Sequence, residues 1–462
     1  MHLFRCLGPG LAAAATVSVF GALGVSGALG VSAQAEPVVV SEIHFEGNSR
    51  TRDSVLLQEI RISTGQLAEA WQLEQARQDI MNLGLFKEVL LRLEDLPEPT
   101  DPREPAQQRV VFVMDEKFYY FALPRLSRNA DGGIRYGGEL RADNFLGLNH
   151  RLSLRYEKEI PADELAEEVD SFLLRYQVPR LVGRGQGLGL SAENSRALKF
   201  LGAGEGPDNI LDREDSTREY LEDRQVFQVS LQQWLTEDRR SQGWRATVSG
   251  RLDQRQFSGT SNLAEDLNPP PNGRDVQLSL GLIFSEINDY DIRREGVEYG
   301  GSWRFPLTGL GGGDFNYNRL DLFYRHYLPM KAVLSRGVAS LDLSLQAGWA
   351  SAAPFRDRAY LIGGSGGVRG LESDYRWGER QLLASIEYLT PLFGYHSLRG
   401  VLFADAGDVW QKGVQPGDVM YSTGLGLRWT LRWFVRTQLR LDVAHAPQTS
   451  STRAYAGAGS SF

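Results

Sequence analysis

A chain of 462 residues has room for two or three globular domains, or for one small domain and a large β-structure. Its 50 basic and 58 acidic residues are interspersed, and the formal charge of −8 with no basic stripe argues against a nucleic-acid partner. One cysteine, Cys6, excludes a disulfide framework and a thiolate metal site, and the six histidines form no H-E-x-x-H or comparable cluster.

Arg5 precedes a long Ala/Gly/Val/Leu stretch that closes on Ala33-Gln34-Ala35, a small-x-small cleavage pattern. Residues 1–35 are therefore expected to be a secretory signal, which would remove Cys6 and leave the mature chain without cysteine. The other reading is a retained membrane helix, opposed by the glycine content and the A-x-A end. No later stretch approaches the roughly 18 apolar residues of a membrane-crossing helix. Hydropathy alone does not settle membrane insertion, because the alternating strands of a barrel average out as polar.

Residues 36–117 have the pattern of a compact α/β unit. VVVSEIHFE is a predicted strand and Gly47-Asn48 a turn. Thr51 to Ile60 follows as a helix with Thr51 as its N-cap, and a second helix covers about Ala68 to Leu83, where Leu73, Ala76, Ile80 and Leu83 recur at helical spacing before Gly84. KEVLLRLE and RVVFVMDE are two further strands, giving the order β-α-α-β-β. That order, with Phe45-Glu46-Gly47-Asn48 and Asn82-Leu83-Gly84-Leu85-Phe86, resembles a POTRA domain.

From residue 118 to 462 short strands of period two follow one another. In LDLSLQAGW, Leu341, Leu343, Leu345 and Ala347 fall on one side and Asp342, Ser344 and Gln346 on the other. A soluble sandwich shows the same alternation, but here the breaks alternate in length. Short ones fall near 145–147, 179–184, 237–241, 288–294, 329–335 and 392–396, and longer ones near 160–168, 198–223, 256–273 and 351–380. This predicts an all-β membrane barrel of about 16 antiparallel strands, with tight turns at one end and long loops at the other. Closure removes the unpaired edge groups that hydrocarbon does not tolerate. Trp303, Tyr324, Tyr327, Trp410, Trp429 and Trp433, near predicted strand ends, fit interfacial girdles.

The run IGGSGGVRG at 362–370 lies in the long break between the eleventh and twelfth predicted strands. A phosphate-binding loop needs a Lys-Ser/Thr end and a following helix, both missing here. Composition alone leaves an exposed flexible loop. The α/β unit, the barrel pattern and Val368-Arg369-Gly370 together resemble the BamA/TamA-type outer-membrane insertase superfamily, in a form with a single POTRA and a bacterial surface antigen barrel. The resemblance implies that the sixth outer loop folds back into the barrel and that Arg369 is held by Glu387 and Asp405 of the next two strands. Leu371 stands where the family carries an aromatic residue. A guanidinium fork meets carboxylates bidentately, so Arg369 suits a latch. Alternation supports an inward Glu387, which shares parity with Gln381 and Ser385. Asp405 shares parity with Val401 and Phe403, so its inward position rests on the resemblance.

The ending RAYAGAGSSF carries Tyr455, Gly457 and Phe462 at the spacing of an outer-membrane assembly signal, and its glycines make a soft seam against the first barrel strand, around Phe118 to Ser127. The resemblance implies a bacterial outer-membrane protein with its POTRA in the periplasm, whose partners are outer-membrane lipid, unfolded outer-membrane or exported polypeptides and periplasmic accessory proteins. It would assist insertion of other barrels or polypeptide translocation. The alternatives are a two-partner-secretion-like exporter and a passive pore or surface antigen. No catalytic residue, cofactor or metal is expected, and the protein is not expected to be an enzyme.

Overall fold

The computed structural model of the chain describes residues 37–462 except 97–106, 129–133, 161–168, 182–184, 201–218, 237–241, 261–262, 266–267, 310–311, 333–336, 355–357, 374, 418 and 459–462. The expected signal and Phe462 lie outside the described residues.

The α/β unit runs β1 (Val38–Glu46), α1 (Asp53–Glu59), β2 (Leu67–Ala68), α2 (Ala70–Met81), β3 (Phe86–Asp95) and β4 (Gln107–Glu116). Its sheet has the order β2-β1-β4-β3, with β1 parallel to β4. The helical period of α2 buries Leu73, Ala76 and Ile80 against Val40, Leu56, Phe86 and Phe112. A capping box joins Glu69 and Gln72 at its start. The helix starts later than the sequence predicts because Leu67 and Ala68 are taken by β2, which pairs with Val39 and Val38. Thr51 is likewise not the cap of α1, whose N-cap is Arg52 with no side-chain cap bond. The Thr51 hydroxyl instead donates to Glu116 Oε1 (2.6 Å) and accepts from Asn144 Nδ2 (2.9 Å), so it bolts this unit to the following sheet.

That sheet contains sixteen strands. They are β5 (Tyr120–Arg128), β6 (Ile134–Phe145), β7 (His150–Ile160), β8 (Val169–Leu181), β9 (Gln186–Phe200), β10 (Glu219–Trp234), β11 (Gly243–Gly259) and β12 (Gly273–Asp289). Then come β13 (Arg294–Pro306), β14 (Arg319–Lys331), β15 (Val338–Ala350), β18 (Arg380–Leu392), β19 (Tyr395–Trp410), β20 (Met420–Thr430), β21 (Gln438–Ala446) and β22 (Ser451–Ala458). A small hairpin, β16 (Tyr360–Ile362) and β17 (Arg376–Gly378), belongs to the connection between β15 and β18. Each strand pairs antiparallel with the next in chain order.

The two faces of the sheet invert the pattern of a soluble protein. Leu280, Leu282, Leu322, Leu345, Leu402, Leu425 and Leu441 are exposed on one face, while Asp253, Asp275, Gln277, Asp405, Arg428 and Asp442 are buried on the other. Apolar outside and polar inside is the arrangement a barrel in lipid requires. Trp303 and Trp429 stand half-exposed on the outer face as a girdle demands, whereas Tyr327 is buried and points inward, because its odd position in β14 shares the face of Asp321 and Arg325.

The sheet curls until the start of its first strand lies beside the turn between β20 and β21. The Phe118 N–H donates to the Trp433 carbonyl (2.6 Å), and Phe434 packs against Phe118 and Phe121 with ring centroids 6.0 and 5.3 Å apart. Yet among the described residues no ladder joins β5 to β22, the two ends of the sheet. An aromatic clasp therefore holds the short-turn end, while above it the described residues of the two edges form no ladder with each other.

The α/β unit sits on the short turns. Arg52 N–H donates to the Gly147 carbonyl (3.0 Å), Arg180 pairs with Glu59 (3.2 Å), Asn82 accepts the Asp289 N–H (2.9 Å), and Arg436 donates to the Leu83 carbonyl (2.9 Å). Lys117 and Asp291 form a buried ion pair at 2.6 Å. Val435, from the last short turn, is part of the α/β unit's own hydrophobic core.

Candidate functional site

The connection between β15 and β18, the eleventh and twelfth barrel strands, enters the lumen, and Arg369 at its tip is 2% exposed. Its guanidinium grips Asp405 bidentately through Nε and Nη2, each at 2.6 Å, and Nη1 donates to Glu387 at 2.5 Å. The Arg369 backbone N–H adds a bond to Asp405 (3.2 Å), and the guanidinium lies over the Phe403 ring at 3.4 Å from its centroid. Ser385 donates to Asp405 at 2.7 Å and so orients the carboxylate.

Three residues the sequence did not single out complete the cluster. Asp442 of β21 accepts from Arg369 (3.2 Å), from Arg440 (2.5 Å) and from Arg428 of β20. Arg428 also donates to both oxygens of Glu387, at 3.1 and 3.3 Å. Three guanidiniums thus face three carboxylates, and the neutral sum permits the whole set to be buried. The alternation of QLRLDVA carried the missing signal: Leu439, Leu441 and Val443 are exposed outward, so Arg440 and Asp442 face in. On β20 the glycines make the room, since a Cβ at Gly426 would stand 2.1 Å from Asp442 Oδ1 and one at Gly424 would stand 2.3 Å from the Phe403 ring.

The backbone of the tip is also seated. Gly370 has φ +92°, a region that favours glycine, and a Cβ there would lie 3.0 Å from Ala446 N. Its N–H donates to the Tyr455 hydroxyl (2.9 Å), which donates in turn to the Leu371 carbonyl (3.0 Å), and Ser451 donates to the Gly370 carbonyl (2.6 Å). Tyr455 therefore faces inward and joins the loop to β22. Gly457 is exposed on the same strand with no atom near its missing Cβ. Val368 and Leu371 are buried with Ile362, Leu383, Val409 and Met420, so leucine fills the space at the position of the family's aromatic residue.

The same loop is held on the opposite wall. Arg358, 5% exposed, donates Nε to Asp275 of β12 (2.8 Å) and pairs through Nη2 with Asp253 of β11. Asp253 is fully buried and also receives Arg224 (2.8 Å), Arg255 (3.0 Å) and Arg251 (3.1 Å). The loop is a strap across the lumen, fixed at Arg358 and again at Arg369.

The Omp85 superfamily domain matches residues 144–462, more than two-thirds of the chain. The chain belongs to the Omp85 superfamily. The α/β unit matches the POTRA family, described as a surface antigen variable number repeat, over residues 38–117. Among solved structures, this Omp85 chain is similar to CdiB from Escherichia coli, at 14% identity over 91% of this chain and 76% of that one, with a TM-score of 0.61. CdiB from Acinetobacter baumannii matches at 14% over 91% and 73%, with a TM-score of 0.58. BamA from Haemophilus ducreyi, solved without POTRA domains 1–3, matches at 17% over 91% and 84%, with a TM-score of 0.50. At these identities the likeness establishes the Omp85 barrel fold with its POTRA unit.

Proposed function

We propose that this Omp85 protein resides in a bacterial outer membrane with its POTRA unit in the periplasm, and that it assists the insertion of β-strand clients through the seam between β5 and β22. The observation that carries this reading is the pair of sheet ends, β5 and β22, with no ladder between them among the described residues. Each exposes a row of backbone donors and acceptors, which is a template for strand addition. The POTRA unit on the short turns would receive the unfolded chain, and periplasmic accessory proteins would dock there. Burial of the client's apolar face in lipid would drive the step without a nucleotide.

The latch set of Val368, Arg369, Gly370, Glu387 and Asp405 belongs to this mechanism. Through Tyr455 and Ser451 it holds β22, so sliding of the seam strand works against the seated loop. Export through the lumen, the two-partner-secretion reading, would require the strap to leave both walls.

Two cysteines engineered on facing edges of β5 and β22 test the proposal. The disulfide is expected to abolish appearance of client barrels in the outer membrane, and reduction is expected to restore it. Unchanged client assembly with the seam locked would overturn lateral insertion and leave export through the lumen or a passive pore.

A further inference from the structure

We infer that the lumen floor of this protein is a binding site for a small phosphate-class oxyanion. Between the POTRA unit and the barrel wall lies a cavity of about 330 Å³ lined by five Lys or Arg side chains against three Asp. The decisive group is Arg399 of β19, which is 4% exposed. Its Nη2 donates to Ser340 Oγ and to the Leu389 carbonyl, both at 2.9 Å, and these two bonds fix the plane of the guanidinium. Nε and Nη1 have no bond to a protein acceptor among the described residues, and no carboxylate there lies within ion-pair distance of Arg399.

This sets Arg399 apart from the other fully buried lumen arginines. Arg255, Arg358, Arg369 and Arg428 each have a carboxylate within 3.1 Å. A buried cation that meets only neutral acceptors is unfavourable, and a planar fork with free donors is matched by a tetrahedral oxyanion. Arg436, exposed at the rim of the same cavity, has no carboxylate partner among the described residues, and its Nη2 is on the Leu83 carbonyl of the POTRA unit (2.9 Å). Lys117, on the POTRA side, is paired with Asp291. Asp342 also lines the cavity, outside ion-pair distance of Arg399, and is the protein's own competitor for it. An anion bound to Arg399 and Arg436 would tie the barrel wall to the turn on which the POTRA unit sits. Barrel strands supply Arg294, Asp342 and Arg399 to the lining, and turns and the POTRA unit supply Arg293, Arg436 and Lys117, so the cavity opens toward the lumen and the POTRA unit and its ligand is a soluble anion.

The test is binding of inorganic phosphate and pyrophosphate to the full-length protein in neutral detergent, by calorimetry and by thermal unfolding against sodium chloride of equal ionic strength. Saturable binding is expected, weakened roughly tenfold or more in Arg399→Gln. Arg436→Gln, at the rim, is expected to weaken it as well and serves if the first variant fails to fold. No saturable effect beyond sodium chloride would overturn the site, as would undiminished binding in both variants. Binding of a short-chain phosphatidylglycerol with none of free phosphate would also overturn it.

Discussion

Arg369 is the residue on which the lumen cluster closes. Arg369→Ala leaves Glu387, Asp405 and Asp442 facing only Arg428 and Arg440, an uncompensated buried charge that costs about 3–5 kcal/mol. A lowered unfolding temperature in detergent is the expected result, and Arg369→Lys should recover little of it, since a point charge does not reproduce the bidentate grip on Asp405. In the POTRA unit, Asp79 is 3% exposed, and burial pushes its carboxyl up to about 6 despite a hydrogen bond from Gln75 and the nearby Arg61. A carboxyl whose folded pKa exceeds its unfolded value of 3.8 favours the protonated fold. Stability should therefore fall as pH rises from about 4 to about 6 and stay lower above that, by about 2–3 kcal/mol. Hydrogen-exchange protection of α2, corrected for intrinsic rates, should show this slope, and Asp79→Asn should flatten it and raise protection at neutral pH.

The strap from β15 to β18 has two anchors on opposite walls, Arg358 on β11 and β12 and Arg369 on β18, β19 and β21. Releasing one leaves the loop tethered across the lumen by the other. In planar bilayers, Arg358→Ala and Arg369→Ala are each expected to give noisier channels of small conductance, and the double variant a steady, larger one. Equal conductance in all four proteins would show that the loop does not control the lumen. The inward face of Glu387 was legible in the sequence because the residue lies on the polar side of its strand, whereas composition left the loop of Arg369 exposed and only the family resemblance placed it in the lumen. Asp405 was not legible by alternation, since Val401 and Phe403 share its face. The structure explains that exception: Phe403 underlies the guanidinium and Val401 belongs to a small buried apolar cluster inside the barrel, so the lumen is not uniformly polar there.

For the molecule as a whole, the POTRA unit and the barrel are keyed together by side chains and by backbone fit. Gly147, at φ +72°, lies so close to the POTRA unit that a Cβ there would stand 2.2 Å from the Arg50 carbonyl oxygen. Gly147→Ala is expected to lift the POTRA unit off its turn without unfolding the barrel. Limited proteolysis should then cut faster near Lys117, while the barrel keeps its heat-modifiable mobility on a denaturing gel. Retained resistance near Lys117 would mean that the contact is dispensable for docking.

Periodicity, break length and the VRG run were local properties, and by themselves they determined the α/β unit, the sixteen-strand sheet and the loop that carries Arg369. Local order cannot say which charges on distant strands meet. Asp442 lies 73 residues from Arg369, and Arg358 lies 105 residues from Asp253; only curling of the sheet around the loop brought each pair together. Thr51 and Tyr455 changed roles for the same reason. Their hydrogen-bonding groups serve a cap or a terminal strand in a linear reading, but in the folded chain the partners within reach are Asn144 and the backbone of the inserted loop.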